Sequence, residues 1–165
     1  YIDFDNFKPF NDTYGFRQGD RAILQFAELM RKSAKSDGWF LGHIGGDDFF
    51  LGLHEADMET AVTVVRQMIA EFAAEAESFY DAETRARGHI IAKNRDGIDQ
   101  RFPLLSASAV LLPILPGQGC GTADDVSAAI AAKKKTAKSA PDKIAIAELH
   151  DHGHAPLDET TTVAA

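Results

Sequence analysis

The sequence is short of cysteine, of cations and of long apolar runs. A single cysteine, Cys120, in 165 residues excludes an internal disulfide and fits a reducing, cytoplasmic setting. No apolar run approaches the ~18 residues that a membrane span needs, so no membrane contact by this domain is expected. Seventeen Lys and Arg against 25 Asp and Glu leave a net charge of −8. General binding to nucleic acid or to an anionic membrane needs the opposite balance. A nucleotide site is not excluded, because it needs only a few local cations or a metal. There is no signal peptide, no internal repeat and no initiator methionine, and the chain opens on Tyr1 as a piece of a longer protein would. What remains, 45% hydrophobic and 25% charged residues, is the composition of one globular domain.

Hydrophobic periodicity places the elements. Residues 1–5 alternate apolar and acidic side chains, as a short strand does. Residues 7–19 hold Asn, Asp, Gly and Pro9 and read as a loop or broken helical turn. Asp20 can cap a helix running to about Ala34, with Ile23, Phe26, Ala27 and Met30 on one face. Apolar runs 39–44 and 49–53 flank Gly45-Gly46-Asp47-Asp48, a hairpin signal. Residues 57–80 carry one apolar stripe, Val62, Val65, Met68, Ile69, Phe72, Ala76 and Phe79. Residues 88–93 and 98–102 bracket Asn94-Arg95-Asp96-Gly97, a second hairpin. A strand over 103–112, an Ala-rich helix over 123–138 ending in lysines, and a strand over 143–149 follow. Residues 150–165 are polar and aperiodic and read as a flexible tail. The expected fold is α+β, a mostly antiparallel central sheet flanked by helices, with an inserted β-hairpin within about residues 80–102.

Two acidic clusters stand out, Asp3 with Asp5 on the first strand and Asp47 with Asp48 at the first hairpin tip. A strand end and a hairpin turn can converge in a sheet, and hard oxygen ligands there suit Mg²⁺ or Mn²⁺. Alternatively, aspartates in turns make only local hydrogen bonds. Likewise Lys133, Lys134, Lys135 and Lys138 are either phosphate contacts or the solvated end of a helix. His150, His152 and His154 could take up a transition metal, or simply be solvated in the tail.

Read together, Asp3-Phe4-Asp5-Asn6-Phe7-Lys8-Pro9-Phe10-Asn11-Asp12, Gly15-Phe16-Arg17-Gln18-Gly19-Asp20 and Gly45-Gly46-Asp47-Asp48-Phe49 resemble the GGDEF family of diguanylate cyclases and their degenerate relatives. The resemblance lies in the family's order of DxDxFKxxND, GHxxGD and GG[DE]EF, and covers roughly residues 1–149. It implies a palm-like cyclase fold with a ferredoxin-like core, and the condensation of two GTP into cyclic di-GMP. It implies that Asp3, the Phe4 carbonyl and Asp47 hold Mg²⁺ or Mn²⁺, that Asp47 helps activate a ribose 3′-hydroxyl, and that Asp48 stands where the family has Glu. Lys8 and Lys138 match phosphate contacts. Asn11 and Asp20 match the pair that reads guanine, beside Phe7. Gly45 and Gly46 let the turn approach a triphosphate closely. Since each domain holds one GTP, the resemblance also implies a homodimer.

The chain departs from the pattern at several places. Phe16 replaces the His of GHxxGD, His43 stands where an Arg often precedes the glycines, and Lys135 takes a Tyr position of the C-terminal motif. The Arg of that motif falls at Asp142 or Lys143. Ser36 and Trp39 occupy the positions of the inhibitory RxxD product site, so feedback by that route is expected to be missing. The insertion makes the chain similar to GGDEF domains that follow EAL and CBS domains in one polypeptide, and the family's N-terminal helix is expected upstream of Tyr1. The alternative function is a non-catalytic GGDEF domain that binds GTP or cyclic di-GMP and regulates a linked EAL phosphodiesterase domain. A third, an interaction scaffold without a nucleotide site, has no need of clustered carboxylates.

Overall fold

The computed structural model describes residues 1–34, 38–94, 96–115 and 121–149. Cys120, Ser36 and the 150–165 tail with its three histidines lie outside them. Among the described residues, seven strands and five α-helices follow in the order β1 (Ile2–Asp5), α1 (Phe7–Tyr14), α2 (Phe16–Ser33), β2 (Trp39–Gly45), β3 (Asp48–Leu53), α3 (Met58–Ala76), α4 (Ala82–Arg87), β4 (His89–Lys93), β5 (Asp99–Pro103), β6 (Ser106–Leu111), α5 (Ala123–Ser139) and β7 (Ile144–Ile146). Five strands form the central sheet in the order β2-β3-β1-β6-β7. All its pairings are antiparallel except β6 with β7, which is parallel and follows the crossover through α5. The α+β expectation therefore holds, with a mixed sheet. Among the described residues no helix is long and apolar enough to cross a membrane.

Period-two alternation on β1 decides what the sheet carries on each face. Ile2 and Phe4 point to the main core, where the rings of Phe4, Phe26, Phe49 and Phe72 meet at centroid distances of 4.5–5.4 Å. Phe26 comes from α2 and Phe72 from α3, so both helices cover this face. Tyr1, Asp3 and Asp5 point to the opposite face. There α5 packs Ile130 and Ala137 against Val110, Ala145 and Ala147.

Three expectations are corrected. Residues 7–14 are a helix, not a loop. Pro9 lies in its first turn, where a missing N–H costs no intrahelical hydrogen bond. Asp20 does not cap α2: the helix starts at Phe16, one residue after Gly15 ends α1, so Asp20 lies within it. The inserted hairpin forms as expected, and among the described residues β4 and β5 pair only with each other as a separate two-stranded sheet. It is preceded by α4, a helix of one and a half turns too short to leave a periodic signal, capped by Asp81, whose carboxylate accepts from Thr84 N at 2.7 Å. Tyr80 anchors the insertion, its buried hydroxyl accepting from Leu105 N at 2.8 Å. The C-terminal strand, expected over 143–149, is confined to three residues of β7.

Candidate functional site

Backbone pairing brings the two acidic clusters together. Asp3 on β1 stands directly opposite Asp48 on β3, and Phe4 N donates to the Asp47 carbonyl at 3.4 Å. Asp47 itself sits in the turn just ahead of β3 and is half-buried. Burial is the main reason its carboxyl is pushed above the ordinary range, and the charges of Asp3 and Asp48 add to this while Lys138 opposes it. Asp3 and Asp48 both accept a hydrogen bond from the Tyr1 hydroxyl, that to Asp3 at 3.2 Å.

The turn that carries Asp47 is made by glycine. Gly45 has φ 148° and Gly46 φ 58°, conformations that strain a side chain, and the space a Cβ would fill beside either is open. His43 closes the turn: its Nε2 lies 2.9 Å from the Gly46 carbonyl, and its ring stacks on Phe49 at 4.7 Å. Nothing in the sequence pattern pointed to this role, since His43 stands where the family often has Arg.

Helix α5 supplies the cations. Lys134 and Lys138 are one helical turn apart and share a face. Lys138 forms an ion pair with Asp3, reaches the Phe4 carbonyl at 3.4 Å and lies 3.7 Å from Asp5. Lys134 lies 3.4 Å from Asp3 and 3.6 Å from Asp48, with its ammonium 4.3 Å above the Tyr1 ring. Asp5 is buried and fully engaged. It accepts from Ser106 Oγ at 3.2 Å and Ser108 Oγ at 3.0 Å, and pairs with Lys143 at 3.2 Å. Burial alone would lower the Lys138 ammonium, but its contact with Asp3 and the charges of Asp5 and Asp47 outweigh it and hold it above the ordinary lysine range. Asp5 and Lys134 were weighed from the sequence as an acidic candidate and a possible phosphate contact, and Lys143 as one position for the motif's Arg; their ion pairs were not foreseen. The i,i+4 spacing of Lys134 and Lys138 was the available signal for one of them.

A second group forms where α1 meets α2. Phe7 is buried, and Asn11 turns its Oδ1 inward without a partner, the one such buried side-chain atom among the described residues. Gly19 makes room for it: a Cβ there would stand 2.0 Å from Asn11 Oδ1 and 3.1 Å from the Phe7 ring. Asp20, the next residue, is exposed. Lys8 is exposed too and paired within its helix to Asp12 at 2.5 Å. The structure thus holds Asp3, Phe4, Asp47, Asp48 and Lys138 in one cluster, and Phe7, Asn11 and the glycine before Asp20 in another.

The first cluster fits a small hard cation in kind. Its donors are carboxylate and carbonyl oxygens, and Mg²⁺ takes only one or two protein carboxylates when substrate phosphates complete its shell. A cation already rests on them, since the Lys138 ammonium contacts both Asp3 and the Phe4 carbonyl. Among the described residues, no three His, Cys, Asp or Glu side chains close around one point as a ready-made metal cage.

The diguanylate cyclase GGDEF domain pattern matches residues 1–95. A diguanylate cyclase of Vibrio cholerae serotype O1 is 39% identical over 72 residues, 44% of this chain and 22% of that protein. Diguanylate cyclase DgcP of Escherichia coli K12 is 33% identical over 72 residues, 42% of this chain and 21% of that protein. The match therefore spans only about a fifth of either curated relative. Among solved structures, the active GGEEF domain of a diguanylate cyclase from Vibrio cholerae superposes with a TM-score of 0.55 at 22% identity, covering 90% of this chain and 80% of that one. The GGDEF domain of DgcB from Caulobacter crescentus, solved with c-di-GMP, gives 0.53 at 22% identity over 88% of this chain and 74% of that one. With more than half of its length matched by the family pattern, and a fold like that of solved GGDEF domains, the chain belongs to the GGDEF family.

Proposed function

We propose that this domain is a diguanylate cyclase, working in the cytoplasm as a homodimer that condenses two GTP into cyclic di-GMP. The observation that supports it most is the convergence of Asp3, Asp47 and Asp48 with Lys138 at the Gly45-Gly46 turn. Three separated stretches of chain meet there only because β1 pairs with β3 and α5 crosses the sheet.

In this reading, Asp3, the Phe4 carbonyl and Asp47 hold Mg²⁺ or Mn²⁺. When bound, such an ion lowers the pKa of the ribose 3′-hydroxyl and neutralises charge on the phosphates. The 3′-oxygen of one GTP attacks the α-phosphorus of the GTP on the partner domain, and the bond to pyrophosphate breaks with its electron pair leaving on pyrophosphate. The same exchange in reverse closes the ring and releases a second pyrophosphate. Asp47 helps activate the hydroxyl by holding that ion beside it. Asp48 assists from β3, one methylene shorter than the family's Glu. Gly45 and Gly46 present bare backbone to the triphosphate, and Lys8 and Lys138 contact its oxygens. Lys8 must first leave Asp12, an exposed pair of small worth. Asp20 accepts from guanine N1–H and the 2-amino group, and Asn11 offers the acceptor that has no partner in the protein. Phe7 backs this pocket. Adenine offers no such donor pair.

One observation favours the second reading, a degenerate GGDEF domain that binds GTP or cyclic di-GMP and regulates a linked EAL domain. Asp48 stands in place of Glu and is engaged by Tyr1 and Lys134. The insertion that carries α4, β4 and β5 supports placing the domain in a chain with EAL and CBS domains. Incubating the full-length protein with GTP and Mg²⁺, with Asp47→Ala in parallel, separates the readings. Cyclic di-GMP from the parent and none from the variant supports catalysis, and binding of GTP without product supports the regulator.

A further inference from the structure

The carboxylates at the Gly-Gly turn carry their own counter-cations. Asp3, Asp5, Asp47 and Asp48 face the ammoniums of Lys134, Lys138 and Lys143. Lys143 is anchored to Asp5 and to the Lys138 carbonyl at 2.7 Å, so it stays with the buried carboxylate. Lys134 and Lys138 differ from it. Both project from one face of α5 and both lie on Asp3, whereas Lys143 follows the helix and lies on Asp5. Lys138 also takes the Phe4 carbonyl, and Lys134 also takes Asp48. Every oxygen donor assigned to a divalent ion, except the Asp47 side chain, is therefore already in contact with an ammonium. The cluster is close to neutral by itself and has little charge left to attract a free cation.

A triphosphate reverses that balance. Its oxygens bind lysine more readily than a carboxylate already shared between two ammoniums does, because they bring several negative charges to the exposed ends of both side chains. Once Lys134 and Lys138 turn to the phosphates, Asp3 and Asp48 are left uncompensated and the site needs a cation. We propose that Lys134 and Lys138 form a two-lysine gate that blocks the divalent-cation site in the empty domain and opens it when a nucleoside triphosphate binds. The metal then enters with the nucleotide, not before it, and the two ligands are positively coupled. Lys134 is the decisive member, because it is the residue that spans Asp3 and Asp48. The inference rests on the cyclase reading for the identity of the nucleotide, but not for the block itself.

The test is Mn²⁺ binding to the full-length protein, read from the electron paramagnetic resonance signal of free aquo Mn²⁺, without nucleotide and with a non-hydrolysable GTP analogue. Wild-type protein is expected to bind Mn²⁺ at this site at least tenfold more tightly with the analogue than without. Lys134→Met should tighten Mn²⁺ binding without nucleotide by about tenfold and reduce the coupling, while Lys134→Arg, which keeps the charge, should behave as wild type. By linkage, Mn²⁺ should improve analogue affinity by the same factor that the analogue improves Mn²⁺ affinity, and both factors should shrink together in Lys134→Met. Adding Asp3→Asn to Lys134→Met should remove the gained binding, which identifies the site against other acidic patches. The proposal is overturned if wild type and Lys134→Met bind Mn²⁺ alone equally well, or if the gain survives Asp3→Asn. A protein that shows the Lys134→Met gain but binds no GTP analogue would refute the cyclase reading and the nucleotide-opened half of the gate, while the lysine block itself would stand.

Discussion

Gly19 and Asn11 show how one missing side chain can set a neighbouring amide in place. Gly19 is buried within α2, and replacing a helical glycine by alanine ordinarily favours the helix by about 1 kcal/mol. Here the added methyl would stand 2.0 Å from Asn11 Oδ1, and only rotation of the amide relieves the clash. Gly19→Ala is therefore expected to leave unfolding stability within about 1 kcal/mol of the parent, because helix propensity and the lost contact offset one another. GTP binding should weaken markedly, as the Asn11 acceptor leaves its place. Denaturation and nucleotide titration on the same variant check both halves. Asp20→Ala separates a base-reading role from a structural one. Since Asp20 lies inside α2 and caps nothing, its loss should cost about 1–3 kcal/mol of GTP binding and leave the poor binding of ATP unchanged. Equal losses for the two nucleotides would remove it from the guanine pocket. At this scale the motif residues were legible because they are contiguous in the chain. The partners of Asp3 and Asp5 were not, because Lys134, Lys143 and the two serines on Asp5 come from segments 100 and more residues away, which only β1–β6 pairing and the α5 crossover bring near.

Among the elements, boundaries follow caps where side chains supply them. Asp57 begins α3 and Asp81 begins α4, each accepting from the backbone N–H three residues on at 2.7 Å. Those hydrogen bonds hold both carboxyls below the usual range. A carboxyl that binds its proton less readily in the folded chain than in the unfolded one stabilises the fold above the unfolded pKa, and that contribution is lost as pH falls through the lower folded value. Stability should therefore decline below about pH 4, near the ordinary Asp value. Asp57→Asn with Asp81→Asn, which keeps cap acceptors but cannot titrate, should flatten that decline in denaturant titrations between pH 6 and pH 3. The α3 stripe was readable from its period, and Val65, Met68, Ile69, Phe72 and Ala76 are all buried. Helix α1 was hidden by Pro9, whose usual meaning as a breaker does not apply in a first turn. The second hairpin was visible from its Asn94 and Gly97 turn, yet nothing local says whether a hairpin joins a neighbouring sheet. Because β4 and β5 pair only with each other and carry no cluster residue, replacing residues 94–97 by a short Gly-Ser turn should leave GTP affinity unchanged. Loss of binding in a still-folded protein would place the insertion in the site.

For the molecule as a whole, the sheet order β2-β3-β1-β6-β7 is what turns a list of acidic residues into a site. β1 runs through the middle, buries Phe4 among three other phenyl rings on one face, and holds Asp3 and Asp5 under α5 on the other. The alternation of residues 1–5 foretold two faces, and the Gly-Gly-Asp-Asp turn foretold a hairpin. The parallel β6–β7 pair and the side of the sheet that α5 covers depend on long-range closure that no local pattern encodes. The account's central claim is that this convergence makes cyclic di-GMP. Its most direct measurement is the conversion of α-labelled GTP by the full-length protein with Mg²⁺, separated by chromatography and compared with Asp47→Ala. Labelled cyclic di-GMP from the parent, a loss of at least a hundredfold in the variant, and unchanged folding of the variant are predicted. GTP that stays unconverted at saturating Mg²⁺ and high protein concentration, or product that persists undiminished in Asp47→Ala, would contradict it.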